Sequence, residues 1–187
     1  MACQKKIARQ AVEKLKERVE TRNHADIYGD VVAPAKALGM SLVNVHHPRD
    51  EYMRPVILKA IKSGSAEYVS DIVRSINKIP EFRNAPTKVQ VSLSSEKKRA
   101  GQWALVVAAG INGGYRVAKA YLQQRVSTII YLHVDYGEVT KMREDKLDCN
   151  RVVMSQLAGD SIGLNGLAGR LEGLVVETVR VGILPGK

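Results

Sequence analysis

The stretch "WALVVAAGINGGYRVAKAYLQQRVSTIIYLHV", residues 103–134, constrains the fold more than any other part of the chain. An apolar run ends in a glycine turn, a helical pattern follows, and a second apolar run closes the unit, so the order is strand, helix, strand. Two strands joined in this way run parallel. The crossover between them is right-handed, because a right-twisted strand feeding a right-handed helix packs back onto its sheet only in that sense.

The flanking sequence extends this α/β pattern. Residues 3–21 place Ile7, Val12, Leu15 and Val19 at helical spacing between charges, an amphipathic helix that needs a partner surface. His24 or Asp26 could cap a second helix running to the stop signal at Gly39, with Pro34 kinking it or marking its start. Residues 41–45 predict a short buried strand, and residues 46–64 its exit loop followed by a helix with Pro55 in an early turn. Residues 67–82 predict an amphipathic helix ended by Pro80, and residues 87–95 alternate like a half-exposed strand. A basic turn, 96–101, leads into 102–109, a continuous apolar run of the kind found in central strands. Beyond the strand–helix–strand unit come a charged helix (139–148), a strand (150–155), a glycine-rich helix (159–173) and a last strand (175–184). One domain over residues 1–187 accommodates all of this.

Composition removes several function classes. No apolar run approaches the roughly 18 residues of a membrane span, and the first residues lack the apolar core of a signal peptide, which points to a cytoplasmic protein with no membrane partner. Two cysteines, Cys3 and Cys149, are too few for a disulfide framework or a zinc knuckle and are expected as reduced thiols. The net charge of +10 is concentrated in residues 1–22 and in the cluster Lys97, Lys98 and Arg99. Such a field attracts phosphates on nucleotides or nucleic acid, and it equally serves to keep a surface solvated. Aromatic residues are 5% of the chain and do not interleave with basic ones as a base-stacking platform requires, so nucleic-acid binding is weakly supported.

Three predicted strands end in side chains of ligand type. Residues 41–45 lead to His46, His47 and Asp50; the strand through Tyr131 leads to His133, Asp135 and Glu138; the strand from Asn150 leads to Gln156 and Asp160. Sites in open α/β sheets form outside the carboxyl ends of strands, where these groups would face one another. Imidazole with carboxylate suits Zn, Mn or Fe at an open position, although a strand-end histidine is commonly a hydrogen-bonded structural residue. Gly110, Gly113 and Gly114 form a turn whose N–H groups could meet a phosphate at a helix N-terminus, or could only pack helix on sheet. "GINGG" is neither a dinucleotide fingerprint nor a P-loop. No Ser-His-Asp or Cys-His arrangement supports a nucleophilic hydrolase.

Three segments, "RAGQWALVVAAGINGGYRVAKAYLQQRVSTIIYLHV", "NRVVMSQLAGDSIGLNGLAGRLE" and "GMSLVNVHHPRDEY", together resemble the NIF-three family, some of whose members are called GTP cyclohydrolase type 2 homologues. The resemblance runs from about residue 24 onward, and "GDSIGLN" is its most specific part. It implies a layered fold of mixed sheet with flanking helices, homo-oligomers that are often toroidal hexamers, and a dinuclear metal centre. Carried over, His46 and Asp50 match the family's His-Thr-x-x-Asp segment, with His47 in place of the threonine; Asp160 matches a late acidic ligand; and Gln156 stands where a late histidine belongs. His133 matches a histidine of an archaeal-like subgroup. The family's own early His-His-Pro would lie upstream of Met1, so the chain resembles an N-terminally shortened form. Since an amide oxygen is a poorer ligand than imidazole, the resemblance implies a reduced site holding one divalent metal ion (Zn, Mn or Fe) or none rather than two.

Two functions follow from the resemblance. One is a metal-dependent hydrolase of a phosphate-bearing or nucleotide-like substrate, with His46, His47, Asp50, His133, Gln156 and Asp160 at the metal and Gly110, Gly113, Gly114, Lys97, Lys98 and Arg99 at phosphate. The other is a non-catalytic homo-oligomeric binding, scaffold or regulatory protein with a degenerate metal site, residues 1–22 forming part of its interface.

Overall fold

The computed structural model describes residues 31–43, 45–107 and 113–186. In chain order these contain α1 (Val32–Ala37), α2 (His47–Ser63), α3 (Val69–Asn77), α4 (Pro80–Asn84), β1 (Gln90–Ser92), β2 (Trp103–Val106), α5 (Gly114–Leu122), β3 (Thr128–Tyr131), α6 (Tyr136–Glu144), β4 (Asn150–Val153) and α7 (Gln156–Gly173). The strands form one mixed sheet in the order β1-β4-β3-β2. β2, β3 and β4 are parallel, and β1 runs antiparallel to β4.

Side chains alternate across this sheet, and each face has its own core. Ile130 and Val152 point to the face covered by α2, α3, α4 and α7, where Met53, Ile57, Ile61, Ile72, Ile76, Phe82 and Ile162 are buried. Ile129 and Tyr131 point to the other face, against Tyr115, Val117 and Ala118 of α5 and Met142 of α6. β3 and β4 are central and almost wholly buried, as parallel strands with both faces covered must be. The fold is α/β, a mixed sheet with flanking helices. Among the described residues, no helix is long and apolar enough to cross a membrane.

Several expectations give way to tertiary context. Of the segment 41–45, the described residues form no strand; Leu42 and Val43 are exposed, with no neighbouring strand among the described residues to pair them. Residues 175–184, despite their β-branched pattern, also form no strand, and Val175, Val179 and Val181 stand in the open. Strand propensity expresses itself only where a pairing edge is offered. The apolar run 102–109 supplies β2, which lies at an edge of the described sheet rather than at its centre. Pro80 does not end the helix before it: α3 stops at Asn77, and Pro80, suited to a first helical turn, opens α4. The amphipathic helix expected at residues 3–21, the caps at His24 and Asp26, and Gly110 lie outside the described residues.

Local chemistry places α2 differently from the exit loop expected for "HHPRD". Pro48 sits in the first turn, where its missing N–H costs nothing, so the helix begins at His47 and takes the ligand-type residues into its first turn. Asp50 there meets the positive end of the helix dipole. Pro55 consequently lies well inside α2.

The glycines of "GDSIGLNGLAG" explain how α2 reaches α7. A Cβ at Gly159 would come within 2.6 Å of Met53 Sδ, and one at Gly163 within 2.5 Å of the Arg49 backbone carbonyl oxygen. At Gly166 a Cβ would meet the Tyr52 ring. These positions recur at helical spacing, so α7 presents a groove into which the first turns of α2 settle.

Candidate functional site

Both helices that build the site begin near the carboxyl ends of strands. α7 starts three residues after β4, with Ser155 as its N-cap accepting a hydrogen bond from the Ala158 N–H at 3.4 Å. α2 is tied to the end of β2 by Arg54, whose Nη2 donates to the Val107 carbonyl at 2.6 Å. The helix contact then brings Asp50 and Asp160, distant in sequence, to the same place.

Arg49 lies between them. Its Nη1 is 3.1 Å from Asp160 Oδ2 and its Nη2 is 3.5 Å from Asp50 Oδ1. The first is a charge-assisted contact at hydrogen-bonding length, the second an ion pair too long for a good hydrogen bond. Asp50 is almost fully buried, and His46 Nε2 stands 3.5 Å from its Oδ2, one helical turn back. Gln156 and Asp160 also face each other across one turn, the amide Nε2 donating to Asp160 Oδ1 at 2.8 Å. Burial pushes the Asp160 pKa above the usual carboxylate range; the Gln156 hydrogen bond and the Arg49 charge oppose the rise, and the nearby Asp50 adds to it. Three buried polar atoms in this cluster lack a hydrogen-bonding partner: Arg49 Nε, Asp50 Oδ1 and Gln156 Oε1.

His46, Asp50, Gln156 and Asp160 therefore come together as the sequence suggests. His47 and His133 are exposed, and among the described residues no hydrogen bond or ion pair joins either to the cluster. Arg49 is the participant that sequence reasoning missed. Its signal was present, a basic residue embedded among ligand-type side chains in "HHPRD".

As arranged, this donor set does not fit a divalent ion. A guanidinium and a metal compete for the same carboxylate lone pairs, and Arg49 already holds an oxygen of each aspartate. Gln156 turns its N–H group, not its carbonyl, toward Asp160. Among the described residues, no group of three or more His, Cys, Asp or Glu side chains is placed to hold a metal.

At the start of α5 an internal carboxylate lies beside Gly114. The Tyr115 N–H donates to Glu138 Oε2 at 2.7 Å, and Gly114, at φ +46°, leaves the space in which the Glu138 carboxylate lies. A side chain from α6 thus takes the position at this helix N-terminus where a phosphate was expected beside Gly113 and Gly114.

Lys97, Lys98 and Arg99 lie at the other end of the sheet. Asn150, the first residue of β4, donates from Nδ2 to the Arg99 carbonyl at 2.9 Å, and Thr128, the first residue of β3, donates to the Ala100 carbonyl at 2.6 Å. This turn helps to start α3: the carbonyls of Lys98 and Glu96 accept the Val69 and Ser70 N–H groups at 3.0 Å. Arg99 pairs with Glu67 and stacks over Tyr68, 4.8 Å from the ring centre. The basic turn and the Asp50–Asp160 cluster therefore serve opposite ends of the strands.

No protein-family model matches the chain, and no curated protein does. Among solved structures, a NIF3 superfamily protein from Sphaerobacter thermophilus matches with a TM-score of 0.87 and 32% sequence identity, over 96% of this chain and 66% of that one. The chain thus spans about two thirds of that relative's length. With the same layered fold over nearly its whole length, the chain is a NIF3 superfamily protein by fold.

Proposed function

We propose that the chain is a cytoplasmic, homo-oligomeric binding or scaffold protein in which an internal guanidinium stands where the NIF3 resemblance implies a divalent metal. The observation that carries this reading is the placement of Arg49 between Asp50 and Asp160. Arginine keeps its charge throughout the physiological pH range and offers no lone pair and no open coordination position. It neutralises the two carboxylates and pins α2 to α7 while activating no water. The basic surface would draw a phosphate-bearing partner, with nucleic acid the less supported choice because aromatic residues are so few. The test is metal analysis of protein purified without an affinity tag. Wild type lacking stoichiometric Zn, Mn or Fe supports the reading; one or more ions per chain overturns it.

A second reading, metal-dependent hydrolysis of a phosphate-bearing or nucleotide-like substrate as in the GTP cyclohydrolase type 2 homologues, is favoured by two buried acceptors that receive no hydrogen bond, Asp50 Oδ1 and Gln156 Oε1. With Arg49 swung aside, His46, Asp50, Gln156 and Asp160 would be the ligands. Toroidal hexamers belong to this reading as much as to the first. The same metal analysis separates the two, and sedimentation gives the oligomeric state.

A further inference from the structure

We propose that Arg151 and Arg143 form a binding site for a phosphate-type oxyanion on the α5–α6 face of the sheet, beside the edge strand β1. Arg151 is the second residue of β4, opposite Ser92 of β1 and beside Ile129 of β3. Its side chain thus enters the face that otherwise packs Ile129 and Tyr131 against α5 and α6. Only 5% of the residue is exposed.

A guanidinium in that position needs acceptors, because an uncompensated buried charge is strongly disfavoured. Nε donates to Ser92 Oγ at 2.7 Å, and Nη1 is buried with no partner. Ser94 Oγ, two residues beyond Ser92 in the chain, is also buried and unpartnered. The charged group acting most strongly on Arg151 is Arg143, of like sign, which together with desolvation lowers the Arg151 pKa. The other groups that act on it, Tyr131 and Cys149, are held in their neutral forms by burial. Among the described residues, no carboxylate forms an ion pair with either arginine.

Two guanidinium groups with no internal counter-ion call for a ligand of concentrated negative charge and several acceptor oxygens. Phosphate meets that need, since a guanidinium fork can hold two of its oxygens at once; a single carboxylate would leave one of the two charges uncompensated. Arg143 is exposed on α6 and adjoins Met142, whose side chain packs on this same face of the sheet. The site is separate from the Asp50–Asp160 cluster and from the Lys97–Arg99 turn, so it stands whichever function above holds.

Calorimetric titration of the full chain with inorganic phosphate, in chloride of matched ionic strength, tests it. Wild type should bind one phosphate per chain, Arg143→Ala should weaken binding at least tenfold, and Arg151→Gln should abolish it. The Lys97→Ala, Lys98→Ala double variant should stay within tenfold of wild type. Because Arg151 is buried and its variant could fail to fold, the surface variant Arg143→Ala decides. No saturable binding by wild type, a change of less than tenfold in Arg143→Ala, or a loss of tenfold or more in the lysine pair overturns the proposal. Dissociation of an oligomer by Arg143→Ala without any phosphate binding by wild type overturns it too, and assigns these arginines to a protein interface.

Discussion

Arg49 Nη1 lies 3.1 Å from Asp160 Oδ2, joining the first turn of α2 to the first turns of α7 through opposite charges. With Asp50 on the other side of the same guanidinium, one cation serves two carboxylates that are both largely shielded from water.

Removing that cation should be costly. Arg49→Ala leaves Asp50 and Asp160 facing each other without a counter-charge, and stability at neutral pH is expected to fall by about 3 kcal/mol, as for one partner lost from a buried ion pair. Urea unfolding followed by circular dichroism measures this. Millimolar Mn or Zn should then raise the melting temperature of the variant and leave wild type unchanged; equal responses in both proteins would contradict the role given to Arg49.

The raised pKa of Asp160 has a defined sign. In the window between the ordinary carboxylate value and the raised folded value, the native state binds more protons than the unfolded chain, so this group's contribution to stability declines as pH rises through that window. Asp160→Asn removes that declining component. Across the acid range, the urea midpoint of wild type should fall relative to that of the variant as pH rises. Parallel curves would show that Asp160 has no shifted titration.

Gly163→Ala tests the helix groove. The added methyl would meet the Arg49 backbone, which cannot rotate away as a side-chain tip can. A loss of about 1–3 kcal/mol is expected, in the range of other overpacking substitutions. Gly169→Ala, on the same helix with nothing within 4 Å, is the control and should be neutral or slightly stabilising.

Cys149 should be inert in the native protein. It is buried, and burial pushes its thiol up to about 11, so very little thiolate exists at neutral pH. In a Cys3→Ser background, native protein at pH 7 should resist iodoacetamide, and protein in urea should react fully. Rapid labelling without denaturant would contradict the burial.

Much of the fold was legible from periodicity. The unit from Trp103 through Tyr131 reads as strand, helix and parallel strand, and the structure has that arrangement, because hydrophobic spacing is a local property each segment carries with it. The site was legible in part. His46 and Asp50, and Gln156 and Asp160, each stand four apart, a spacing that becomes one helical face once the helix start is known. What obscured it was Pro48, read as leaving a strand when it instead opens a helix. Beside Gly113 and Gly114, the Tyr115 N–H meets Glu138 of the next helix, a contact between segments that local spacing does not reveal.

The amino-acid order by itself determined the parallel β2–α5–β3 unit and the glycine face of α7, since each depends on residues within a few turns of one another. Tertiary structure alone decided that the segments around Leu42 and Val179 find no strand partner among the described residues, that Arg49 meets Asp160, and that Glu138 caps α5. Strand pairing and counter-ion choice depend on which distant groups arrive within a few ångströms, and only the packed chain sets those distances.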